Sequence, residues 1–197
     1  MSVAILVAKW VADSITKESV YDLAQSVLGH PFLDPEHALS AVRVHESLVR
    51  DLIPPAQTMG EITVTLPTSN IIPKALLITK LSQLRNRGIM DAGLVLVNAK
   101  GILHGYLAQA ELEFILEEDG ILGDGENEEV DIFAEHVSQF IDRTPLTLSA
   151  NAPMEYAVEM FGKLGLRYLI VTEESTARVV GVIIKKRLVL YLEGLQH

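Results

Sequence analysis

Apolar positions along this chain fall into short β-type runs and longer helical patterns, and these alternate in a fixed order. Leu169-Ile170-Val171 is a β-branched run that stops at Glu173-Glu174-Ser175-Thr176. A second run, Val179 to Ile184 with Gly181 inside it, follows at hairpin distance. Lys185-Lys186-Arg187 then opens a segment with apolar residues at Leu188, Val189, Leu192 and Leu195, which is helical spacing. The pattern predicts strand, turn, strand and helix.

The same order occurs earlier. Leu94 to Val97 reads as a strand, Asn98-Ala99-Lys100-Gly101 as a turn and Leu103 to Leu107 as the returning strand, with Gly105 inside it. Gln109-Ala110-Glu111 leads into Leu112, Phe114, Ile115 and Leu116. Laying Gly105 on Gly181 places Glu111 on Arg187 and Tyr106 on Val182. The simplest reading is two copies of one unit, and an internal repeat outranks any single motif.

Each copy begins with a further strand and helix. In the first, Ile62 to Leu66 predicts a strand and Ile72 to Arg87 a helix, with Pro73 near its first turn and Gly88 as its stop. In the second, Pro145 to Leu148 predicts the strand. Ala152 to Phe161 starts a helix with Pro153 in its first turn, and Gly165 ends it. Leu48 to Ile53 introduces the first copy, and the second starts with His136 to Ile141, a partial echo of it. Between the copies, residues 119–133 read as a flexible acidic connector. Its glycines are not a phosphate loop, because no lysine follows and its carboxylates would repel phosphate.

The N-terminal part is different. Val3 to Val11 is apolar except for Lys9, too short for the roughly 20 residues that cross a bilayer. It reads either as a core helix or as the tail of a membrane helix, with Lys9 and Trp10 at headgroup level. Val20, Leu23, Ala24, Val27 and Leu28 give the next helix one apolar side, and Pro31 to Pro35 is an extended, proline-fenced linker. Residues 36–49 read as loop and short helix.

Composition narrows the function. The net charge of −10 opposes nucleic-acid binding, which needs clustered cations. A hydrophobic content of 49% is high for a free-standing monomer and predicts an oligomer face or a membrane-embedded partner. With no cysteine there is no disulfide, thiolate catalysis or cysteine-bound zinc. The six histidines have no metal-ligand spacing, and no nucleophile elbow or triad segment occurs, so no enzyme is predicted.

The second copy carries Asn151-Ala-Pro-Met-Glu-Tyr-Ala-Val-Glu-Met-Phe-Gly-Lys-Leu-Gly-Leu-Arg-Tyr-Leu-Ile-Val171. It resembles the second CBS motif of eukaryotic CLC chloride channels and chloride/proton exchangers. Lys9-Trp10-Val11-Ala12-Asp13, Val20-Tyr21-Asp22 and Gly29-His-Pro-Phe-Leu-Asp34 resemble the end of the CLC membrane domain and its exit into the cytosol. The resemblance implies an α/β fold of tandem CBS motifs, each β-α-β-β-α, forming one Bateman module behind N-terminal helices. Residues 1–34 would be the end of the membrane domain and its linker helices, 46–118 the first motif and 136–197 the second.

It also implies roles. Tyr21 would match the tyrosine whose hydroxyl helps to coordinate chloride in the intact transporter; its alternative is an aromatic on a helix face. Relatives that bind ATP stack its adenine on an aromatic residue and hold its ribose with an aspartate. Asp91 and Arg187 stand at those positions here. Asp91 has no stacking face and Arg187 cannot accept a hydrogen bond. Thr63 does match an early-strand threonine of that cleft, and Glu111 could meet a ribose in the other half. Lys185, Lys186 and Arg187 are either a phosphate site at a helix N-terminus or a solvated basic turn. No cofactor is the leading expectation, with no tight ATP binding.

The implied function is a regulatory module on the cytosolic face of a membrane, forming a homodimer under its own CLC membrane domain and coupled to gating or trafficking. The alternative is a nucleotide-sensing CBS module regulating a soluble enzyme or another transporter.

Overall fold

The computed structural model describes residues 35–87, 92–117 and 128–195. The expectations for 1–34 (Tyr21 included), for Asp91 and for most of the acidic connector lie outside the described residues. The chain divides into two units, Met1–Asp34 and Pro35–His197. All the elements named below belong to the second.

Each repeat is organised on a β-hairpin. In the first, β3 (Gly93–Val97) and β4 (Leu103–Ala108) pair antiparallel. The Asn98 side chain closes the turn between them by accepting from the Lys100 and Ile102 amides at 2.9 and 3.0 Å, as a turn asparagine does. In the second, β7 (Tyr168–Thr172) and β8 (Val179–Ile184) pair in the same way. Leu96 stands opposite Gly105 and Val171 opposite Gly181, and each hairpin has its bulge at the next position. The superposition of Gly105 on Gly181 is therefore one of register as well as of sequence.

A short parallel strand completes each sheet. These are β1 (Thr63–Thr65) beside β3 and β6 (Thr147–Ser149) beside β7. Thr63 pairs with Val95 and Thr147 with Ile170, again equivalent positions. Parallel neighbours need a crossover. Helix α3 (Lys74–Arg87) supplies it in the first repeat and α6 (Met154–Leu164) in the second. Helix α6 buries Met154, Ala157, Val158 and Phe161, one face at i, i+3, i+4 and i+7. Pro153 is its N-cap and Gly165, at φ +63°, its left-handed C-cap, the conformation that glycine adopts without strain. The closing helices are α4 (Gln109–Glu117) and α7 (Lys185–Gly194).

The repeats share one core. Ile170 and Val182 of the second pack with Val95, Leu96 and Tyr106 of the first. The hairpin turns also meet, with Val179 N–H donating to Gly101 O at 2.9 Å.

Each repeat is also crossed by the segment that introduces the other. Asp142, in the segment that opens the second repeat, exchanges backbone hydrogen bonds with Tyr106 of β4 at 2.8 and 2.9 Å. Ile141 lies over Gly105, and Ile53 lies over Gly181 in the same manner. Helix α1 (Pro35–Val44) and the 3₁₀ turn Val49–Leu52 also rest on the second repeat. The Arg43 guanidinium meets Glu155 at 2.9 Å, and Val49 and Arg50 donate their amides to Ala152 and Ala150.

Three expectations change. The first strand of the first repeat is shorter than Ile62 to Leu66, because Ile62 ends helix α2 (Ala56–Ile62). Pro73 is in a strand, β2 (Ile71–Pro73), and α3 begins after it. Its missing N–H is tolerated at a sheet edge as well as in a first helical turn. Lastly, the region 119–133 is not connector throughout: β5 (Glu129–Asp131) pairs antiparallel with β2. Val130 and Ile132 are buried while Glu129 and Asp131 face outward. That two-residue alternation is too short to stand out among the carboxylates. A four-residue helix α5 (Glu135–Ser138) comes next.

Candidate functional site

The repeat symmetry generates two clefts, one beside each hairpin. The first, of about 230 Å³, lies among Pro54, Ala92, Gly93, Val182, Ile184, Lys186 and Arg187. The second, of about 210 Å³, lies among Asp142, Arg167, Tyr168, Tyr106, Ala108, Ala110 and Glu111. Through the hairpin registers and the Ile53–Ile141 equivalence, these are the same positions taken in the same order. Their chemistry is opposite.

In the first cleft, none of the described lining residues is aromatic or acidic. Its cations are Lys186 and Arg187. Arg187 Nε donates to Leu52 O at 2.7 Å and its Nη2 to Ile53 O at 3.3 Å. The guanidinium thus fastens the entry segment to the start of α7. The reason is local. Pro54 occupies the position where Asp142 donates its amide to Tyr106, and proline has no amide hydrogen to give. A side chain makes the attachment on this side that a backbone pair makes on the other.

The second cleft is polar and aromatic. Tyr106 and Tyr168 stack with centroids 3.6 Å apart and an 18° angle. Tyr168 Oη donates to Asp142 Oδ2 at 2.8 Å. Burial, and after it the hydrogen bond to Asp142, hold the phenol well above its ordinary range; the charges of Asp142 and Glu111 act in the same direction. Gln109, 9% exposed, donates from Nε2 to Glu113 Oε1 at 3.0 Å.

The residues expected at a nucleotide cleft do not converge. Lys186 and Arg187 line the first cleft and Glu111 the second. Lys185 gives its amide to Arg167 O and lines neither, and Thr63 lies in β1, paired with Val95. Asp142, Tyr168, Arg167 and Gln109 are additional. The sequence held a signal for Gln109, since carrying the Gly105–Gly181 superposition outward sets it against Lys185. Among the described residues no group of His, Asp and Glu could hold a metal ion, and no helix is long and apolar enough to cross a membrane.

No protein-family model matches the chain. The H(+)/Cl(-) exchange transporter 5 of Sus scrofa is 26% identical over 201 residues, covering 93% of this chain. The chain has the fold of a tandem CBS pair and is similar in sequence to the CLC exchangers. It spans 23% of that relative's length. Among solved structures, CBSX2 in complex with AMP superposes with a TM-score of 0.50 at 16% identity, over 76% of this chain and 98% of that one. The AcuB protein of Vibrio cholerae superposes with a TM-score of 0.52 at 15% identity, over 76% and 93%. At such identities the likeness is one of fold, that of a CBS domain pair.

Proposed function

We propose that this module is the regulatory and structural part of a CLC-type transporter, a chloride channel or chloride/proton exchanger, held at the cytosolic face of its membrane domain. The match to the exchanger carries the reading. It takes in 93% of the chain, so the 34 residues ahead of the described unit cannot all lie outside it. A soluble sensor has no use for such a match.

The attachment of residues 35–53 to the second repeat supports a coupling role. A displacement of that repeat pulls on a segment continuous with residues 1–34, among them Tyr21, whose hydroxyl would coordinate chloride. Glycines replacing Phe32 and Leu33 in the intact transporter will alter its gating; unchanged currents refute the coupling. The module pairs with a second copy through apolar helix faces, consistent with exposed Tyr156 and Leu164 on α6 and Leu190 on α7. Light scattering on the purified chain will give twice the monomer mass.

The AMP bound to CBSX2 favours a second reading, a nucleotide sensor for a soluble enzyme or another transporter. Against it, Arg187 is committed to two backbone carbonyls and its cleft offers no described carboxylate for a ribose. ATP will leave the melting temperature of the chain unchanged, and a rise of several degrees would restore this reading.

A further inference from the structure

The second cleft holds two hydrogen-bond acceptors that no group among the described residues meets. One is Gln109 Oε1 and the other Glu111 Oε2, both buried and without a donor. The orientation of the Gln109 amide is set from behind. Arg85 Nε donates to Glu113 Oε1 at 2.9 Å, and the same oxygen accepts Gln109 Nε2 at 3.0 Å. Only the carbonyl end of a side chain nine-tenths buried is then left over. The Tyr168 hydroxyl, which lines the same cleft, already gives its proton to Asp142.

An unmet buried acceptor costs about 1–3 kcal/mol, and a charged one more. Two of them in a cleft lined also by the Asp142 carboxylate and two phenol rings call for a ligand that brings both donors and positive charge. The volume of about 210 Å³ is below the roughly 300–1,000 Å³ of drug-sized pockets, so the ligand is small. Arg167 is exposed and lines the same cleft, which places the cationic end of the ligand inward, away from it.

We propose that the second cleft binds a small molecule through its protonated amine, held by Gln109 Oε1 and Glu111 Oε2. The site does not depend on the transporter reading, and the first cleft, with Lys186 and Arg187, has the wrong charge for the same ligand.

Calorimetry on the full chain tests it with n-butylammonium as probe and D-ribose as a neutral donor of similar reach. The ammonium binds the wild type and Lys186→Ala equally, and Glu111→Gln at least about tenfold more weakly, the loss of a charge-assisted contact. If Glu111→Gln does not fold, amide chemical shifts of the wild type decide: the ammonium moves residues 106–111 and 167–168 and leaves 182–187 in place. No ammonium binding, binding indifferent to Glu111→Gln, shifts centred on 182–187, or ribose binding where the ammonium does not would each overturn the site.

Discussion

Arg187 donates to the backbone carbonyl of Leu52 at 2.7 Å across the boundary between the second repeat and the segment that introduces the first. A second donor of the same guanidinium reaches Ile53 O. Charge-assisted hydrogen bonds to half-buried carbonyls contribute about 1.5–3 kcal/mol. Arg187→Ala should lower stability by that order, roughly 3–12 °C in melting temperature for a unit of this size. Arg187→Lys should recover only part, because an ammonium is a point charge and cannot span both carbonyls as the planar fork does. Thermal unfolding of both variants measures this, and equal melting temperatures for Arg187→Ala and wild type would remove the fastening role.

Gly105 and Gly181 should differ when each receives a methyl group. A Cβ at Gly181 would meet Ile53 Cγ1 at 2.9 Å and Cγ2 at 3.3 Å, both side-chain atoms. One at Gly105 would meet Ile141 Cγ2 at 2.7 Å and also the Asp142 carbonyl oxygen at 3.1 Å. That carbonyl is fixed by its hydrogen bond from Tyr106. Gly181→Ala should cost about 1–3 kcal/mol and regain much of it when combined with Ile53→Ala. Gly105→Ala should cost more and be rescued less by Ile141→Ala, since the backbone oxygen stays. Double-mutant cycles in urea supply the four numbers, and identical rescue at the two sites would contradict the geometry.

These two glycines also explain why the fold was legible from the sequence. Each sits mid-strand because another segment crosses it, and that requirement recurs wherever the repeat recurs. The hairpins, both closing helices and the Glu111–Arg187 equivalence derive from them. The pairing of β2 with β5 did not show, because its apolar positions are single residues such as Ile72 and Val130 between exposed neighbours. The second cleft was visible only at Glu111 and, through the same superposition, at Gln109. Tyr168 and Asp142 arrive there from elements far apart in sequence, and their roles depend on a hydrogen bond and a ring contact that periodicity does not encode.

Val130 distinguishes a paired strand from a solvated connector. It is 4% exposed and lies opposite Ile72, whereas Glu129 beside it is exposed. Val130→Ala should destabilise by about 1–3 kcal/mol, and Glu129→Ala should stay within about 0.5 kcal/mol of wild type. Two neutral variants by urea denaturation would return 128–133 to the connector.

Tyr168 should give the module an alkaline limit. Its phenol is held protonated in the fold, first by burial and then by its hydrogen bond to Asp142, with two carboxylate charges adding to the effect. A group whose folded pKa exceeds its unfolded value binds its proton more tightly when folded. Its contribution is complete below the unfolded pKa of about 10, and it is lost as pH rises from there toward the folded value. Stability should therefore fall with pH above about 10 more steeply in the wild type than in Tyr168→Phe. Near neutrality the variant should be weaker by about 0.5–1.5 kcal/mol for the lost hydrogen bond to Asp142, while keeping its ring against Tyr106. Urea midpoints at closely spaced pH values, compared between the two proteins, measure both effects. Parallel curves at alkaline pH would mean that the phenol does not carry the linkage, whatever the variant costs near neutrality.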